Sequence, residues 1–172
     1  LSRVYENLLT SYIDDIEKYA KNGKSAVILQ HAIRSCFLEA GKRIKFEGFG
    51  NSNYRSREMG EALRTLQQAM LIELMYPTTN LELPVAPDTR KSPRLHVVDT
   101  GLVNYFSGMQ SNLFGSGDLD SLYEGRLAEL ITGQELSLPY STEIRKMCFW
   151  VRQKRASTAE VDYVMPFKSF II

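Results

Sequence analysis

A chain of 172 residues, 44% hydrophobic and 24% charged, has the composition of a globular protein of one domain or two small ones. Its formal net charge of +1 excludes a global electrostatic pull toward nucleic acid or membrane. No apolar run approaches the roughly 20 residues of a membrane-spanning helix, and no signal peptide is visible.

The charge is unevenly spread. Lys42, Arg43, Lys45, Arg55, Arg57 and Arg64 face only Glu47, Glu58 and Glu61 in the same stretch, and Arg145, Lys146, Arg152, Lys154 and Arg155 have no acid between them. The cysteines, Cys36 and Cys148, both sit in apolar runs. That suits buried free thiols in a reducing cytoplasm and leaves a single disulfide open, with no zinc-type spacing. The chain starts at Leu1 inside a helical pattern and stops inside a strand pattern, as expected of a fragment of a longer protein.

In chain order, Val4, Leu8, Leu9, Tyr12, Ile13, Ile16 and Tyr19 recur at helical spacing and predict a helix over 3–21. Ser25 is positioned to cap a second helix with the stripe Leu29, Ala32, Ile33, Cys36 and Phe37, closed by Gly41. After a connection rich in Gly, Ser and Asn, either Ser56 or Asn53 caps a third helix with Met59, Leu63, Leu66 and Met70 inward. The run 70–76 continues it or turns into a strand, and Pro77 ends the element. Residues 77–93 carry four prolines and read as an extended arm with a short strand over 81–85. This order of elements is that of a winged helix-turn-helix.

Arg94 to Val98 reads as a strand running directly into a short helix over 102–106, and the intervening Asp99 is explained as that helix's N-cap. A polar loop over 111–120 precedes a helix over 119–133, with Leu122, Tyr123, Leu127, Leu130 and Ile131 inward. Glu124 borders this stripe and Glu129 projects away. A carboxylate at such a border needs a cationic partner such as Arg126 or Arg152, a metal, or an exposed edge. Three strands follow: 149–152, then 160–164, which sets Glu160 and Asp162 on the face opposite Val161 and Tyr163, then 170–172. His31 and His96 lie on different elements with no ligand cluster beside them and carry no functional expectation.

Several segments resemble, in order, those of a large prokaryotic family of AAA-type ATPases in which a domain of unknown function follows the ATPase module. Lys91-Ser92-Pro93-Arg94-Leu95-His96-Val97-Val98-Asp99-Thr100-Gly101-Leu102 is similar to that family's KSPKLYFLDTGL, and Leu122 to Leu130 to its LFENFVINEL helix. Phe149-Trp150-Val151-Arg152 followed by Glu160-Val161-Asp162-Tyr163-Val164 resembles its YWR … EVDFV pair. Tyr12 to Ile16 is similar to its YLERDI helix, and 54–72 to the helix of its winged-helix part.

The resemblance implies an α+β chain: a winged helix-turn-helix region with its arm over 1–95, then a restriction-endonuclease-like α/β domain of the PD-(D/E)xK type over 96–172, truncated at its C-terminus. In such a nuclease a helix Glu, a strand Asp and a following Glu-x-Lys converge on a divalent cation that activates water. Glu124 and Asp162 match the first two positions, and the Glu-x-Lys strand would follow Ile172. The fragment is therefore expected to be catalytically inactive, with Glu124 and Asp162 as an incomplete metal site and no cofactor of its own. ATP and Mg²⁺ belong to the parent ATPase, since no phosphate-binding G-x-x-x-x-G-K-[ST] loop is present.

In a winged helix the third helix enters the major groove and the wing meets phosphates. That makes Arg55, Arg57, Arg64 and Gln68, with Arg90 and Lys91 on the arm, the nucleic-acid-binding candidates, against the alternative that these charges solvate a helix face. The expected roles are thus a DNA- or partner-engaging module, part of a nuclease active only in the full-length protein, or a protein-docking platform. The ATPase class allows an oligomeric ring, but nothing in these residues shows one, and the oligomeric state stays open.

Overall fold

The computed structural model describes residues 2–108, 121–137, 147–152, 159–167 and 170–171. The fold is α+β. Helix α1 (Ser2–Glu17) stops short of the expected residue 21 because Asn22 is taken as the N-cap of α2 (Gly23–Glu39). Asn22 Oδ1 accepts from the Ser25 amide at 2.9 Å and Ser25 Oγ accepts from the Asn22 amide at 3.0 Å, a reciprocal capping box in which Ser25 is the third helical residue instead of the cap. Tyr19, assigned to the inner stripe, is consequently 65% exposed, and Val4 is also exposed.

The α2 stripe Leu29, Ala32, Ile33, Cys36 and Phe37 is buried as its spacing requires. The helix ends at Ala40, and Gly41 follows with φ 78°. Glycine is needed there twice, for the left-handed backbone and because a Cβ would stand 2.6 Å from Arg126 Cγ.

A 3₁₀ turn (Phe49–Asn51) leads to α3 (Ser56–Gln68). Its N-cap is Arg55, not Ser56 or Asn53, and the free Arg55 amide donates to Glu58 at 3.1 Å. Met59, Leu63 and Leu66 are buried, but Met70 is 78% exposed. The Met70 and Leu71 amides close the helix onto the carbonyls of Gln67 and Leu66, and left-handed Met70 (φ 58°) swings outward.

The chain then forms β1 (Ile72–Met75), so 70–76 turns into a strand. No strand occurs over 81–85. There Thr78 Oγ1 donates to the Asn80 carbonyl and Asn80 Oδ1 accepts from the Glu82 amide, side-chain turns that bend the chain, and Pro84 lacks a ladder donor. The short strand is instead β2 (Pro77–Thr78).

β3 (Arg94–Val97) pairs antiparallel with β1, Met75 opposite Arg94 and Ile72 opposite Val97. Its other edge meets residues 41–44: the Gly41 amide donates to Leu95, the Leu95 amide to Lys42 and the Ile44 amide to Pro93, with Arg43 opposite Arg94. β3 is therefore central, and residue 95 lies within it. One face, Ile44, Ile72, Leu74, Leu95 and Val97, joins α1–α3 in the main core.

Asp99 caps α4 (Thr100–Phe106), its Oδ1 accepting from Gly101 at 2.8 Å and Leu102 at 3.3 Å. Asp99→Ala should cost about 1 kcal/mol in thermal or urea unfolding. An unchanged midpoint would show that α4 needs no cap.

α5 (Ser121–Ser137) runs past Gly133. Gly133 does not end the helix; it lets α5 approach closely, since a Cβ there would come within 2.6 Å of both His96 Cε1 and the Tyr163 hydroxyl. Leu130 is buried, but Ile131 is 45% exposed and Glu129 is half-buried, the reverse of the expected orientation.

β4 (Cys148–Val151) lies between β2, parallel to it, and β5 (Glu160–Val164), antiparallel. β6 (Pro166–Phe167) and β7 (Phe170–Ile171) form a small hairpin. Met75, Met147, Phe149 and Met165 make a second apolar cluster. Cys36 and Cys148 are buried free thiols, and burial alone pushes the Cys36 thiol strongly up. The loop over 111–120 and the basic turn with Lys154 and Arg155 lie outside the described residues.

Candidate functional site

Two groups of side chains carry the chemistry. The first is the outer surface of α3. Arg57, Glu61, Arg64 and Gln68 are all exposed and follow one another at i, i+4, i+7 and i+11, which places them in one stripe along the helix. Arg55, also exposed, stands at the start of the same helix. Arg57 Nε lies 3.6 Å from Glu61, and the Arg64 guanidinium runs alongside Gly60, where no side chain blocks it. Glu58 turns away to pair with Lys24, which with the Arg55 amide holds its carboxyl below the usual range.

On the arm, Lys91 is half-buried, and Arg90 folds back on Asp88, with Nε 3.0 Å from Oδ1 and a second nitrogen 3.3 Å from Oδ2. Arg90 also holds the Asp88 carboxyl low. The arm is thus largely self-neutralised, unlike α3.

The second group is centred on Arg94, which is 6% exposed. Its guanidinium is bonded to Glu129 of α5 and to Glu160 and Asp162 of β5, the last at 3.0 Å, and its carbon lies 5.0 Å from the centre of the Phe149 ring. Arg43 stacks on the same ring at 5.2 Å. The Tyr163 hydroxyl donates to the Glu129 carbonyl at 2.6 Å, tying β5 to α5.

Burial raises the Glu129 carboxyl, and the neighbouring Asp162 and Glu160 add to it while Arg94 opposes. The Tyr163 phenol is likewise raised strongly, chiefly by burial and then by Glu129. His96, two residues along β3 and 5% exposed, has its ring edge-on to Tyr163 and a buried Nε2 with no hydrogen-bond partner. Burial, with the Arg94 charge behind it, lowers its imidazole to about 4.

Asp162 therefore has a guanidinium where a metal ligand would need a cation, and the Glu124 side chain lies outside the described residues. Among the described residues no cluster of His, Cys, Asp or Glu is placed to hold a metal ion. A divalent cation would have to displace Arg94, so the carboxylates as arranged do not fit a metal centre.

The residues that organise this site, Arg94, Glu129 and His96, are absent from the expected set. A signal existed: in Arg94-Leu95-His96-Val97 polar and apolar residues alternate, which marks a strand with one polar face.

No helix among the described residues is long and apolar enough to cross a membrane. Comparison with curated proteins and with solved structures finds no match. A family model described as Domain of unknown function (DUF8612) matches residues 1–113, from α1 through α4, and the chain belongs to that family.

Proposed function

We propose that this chain is the C-terminal, non-ATPase region of an AAA-type ATPase, and that it engages DNA through α3 without catalysis of its own. The observation that carries this reading is the exposed α3 stripe Arg57, Glu61, Arg64 and Gln68. It lies on a helix that follows a short 3₁₀ turn and leads into β1, which pairs with β3. As the third helix of a winged helix, α3 would present arginine and glutamine donors at the spacing a major groove can receive. The Arg94 hold on Asp162 supports a non-catalytic role for the nuclease-like part, over a metal-dependent nuclease in the full-length protein. ATP and Mg²⁺ then belong to the ATPase module. Docking of a protein partner is the second reading, favoured by Met70, an apolar side chain exposed in a left-handed conformation beside half-exposed Val98.

Gel-shift titration at two salt concentrations tests the DNA reading. Weak, salt-sensitive binding is expected, with Arg57→Ala and Arg64→Ala each weakening it and lowering the salt slope by about 1 if the residue meets phosphate. No binding tighter than about 10⁻⁴ M at low salt would remove the role.

A further inference from the structure

The strands of residues 41–44, β3 and β1 have two faces of opposite chemistry. Cross-strand pairing puts Arg43, Arg94 and Met75 on one face together with Glu73 and His96. A sheet face of that composition ordinarily meets water. Here it is covered: Arg94 and His96 are 6% and 5% exposed. The cover consists of α5, β4 and β5, all of which follow residue 113, where the family match ends.

The described part of the cover adds little apolar surface to what lies beneath it. Among the described residues, Leu130 is its contribution to the main core, and Met75 is the sheet's contribution to the cluster of Met147, Phe149 and Met165. Further attachments among the described residues include Arg94 with its three carboxylates, the stacking of Arg43 and Arg94 on Phe149, the edge-on contact of the His96 and Tyr163 rings, the approach of Arg126 to Gly41, and the pairing of Pro77–Thr78 with Phe149–Trp150. Within the cover, the Tyr163 bond to Glu129 and the β4–β5 ladder hold α5, β4 and β5 to each other. A polar, ion-paired junction separates more readily than an apolar core.

We propose that α5, β4 and β5 form a clasp that opens as a unit from the polar face of the sheet, with Arg94 as its ionic latch, while α1–α4 and the sheet stay folded. The clasp does not depend on what α3 binds. Because Glu160 and Asp162 are partly exposed, added salt weakens the latch without altering the helical core.

Native-state hydrogen exchange of the whole chain at about 0.05 M and about 0.5 M salt, and of the Arg94→Met variant, tests this. High salt and the variant should each speed exchange of amides in 148–151 and 160–164, about tenfold or more in the variant, with α2 and α3 amides unchanged. If Arg94→Met does not fold, Glu160→Gln, which leaves Arg94 two carboxylates, takes its place with a smaller selective effect. Equal acceleration in both groups of amides would make the chain one cooperative unit and overturn the proposal. Unchanged exchange in both would overturn it equally, because Arg94 would then latch nothing.

Discussion

Replacing Arg94 by alanine should weaken the hold of α5, β4 and β5 on the sheet by about 3 kcal/mol. The reason is asymmetric. The intact pairings repay only part of the cost of burying a guanidinium, but removing it leaves Glu129 and Glu160, with side chains 24% and 32% exposed, facing each other without their shared cation, and Glu129 with only the weaker pull of Arg126. Asp162, 58% exposed, is hydrated and adds little. Arg94→Lys should recover only part of the loss, because a single ammonium cannot hold three carboxylates and cover Phe149 as a planar guanidinium does. Trp150, the one tryptophan, lies on β4 beside this cluster, so urea unfolding followed by its fluorescence reads the effect where it arises. A midpoint within about 0.5 kcal/mol of the wild type would show the ion cluster to be a surface ornament.

His96 should make the fold acid-sensitive well above the carboxylate range. Its folded-state pKa of about 4 lies below the ordinary 6.5, so between these values the unfolded chain binds the proton and the folded chain does not. Stability then falls as pH drops from about 6.5 toward about 4, by about 3 kcal/mol in all. Glu129 acts with the opposite sign: its raised carboxyl contributes stability at low pH that is lost as pH rises through its folded pKa. His96→Leu should therefore abolish the loss on mild acidification and leave only the small Glu129 gain. At neutral pH the same variant removes a buried nitrogen that has no partner, so it should be no less stable than the wild type. Chemical unfolding at several pH values compares the two. If the variant keeps the wild-type slope between pH 6.5 and 4, another group is responsible.

Local signals placed most of the elements. The α2 stripe, the Asp99 cap, the turn at Gly41 and the strands β3, β4 and β5 follow from periodicity and end chemistry within a few residues of chain. The departures share a cause. The expected capping at Ser25 and the continuation of α1 to residue 21 compete for the same backbone, and the Asn22–Ser25 box decides between them. Gly133 looks like a helix end until His96 and Tyr163 stand against it. Glu129 looks solvent-facing until Arg94, 35 residues away in sequence, is beside it.

The sequence by itself determined where most of the helices and strands lie, most of the apolar face of each helix, and that Arg57, Arg64 and Gln68 lie together on the outside of α3, because each of these depends on residues within a turn or two of one another. Only the tertiary structure showed what stands beside Asp162. Its neighbour is the guanidinium of Arg94, brought there by the pairing of β3 with β1 and by the approach of α5 at a glycine. The charge on that face is satisfied across 68 residues of sequence, a distance over which no periodicity reaches.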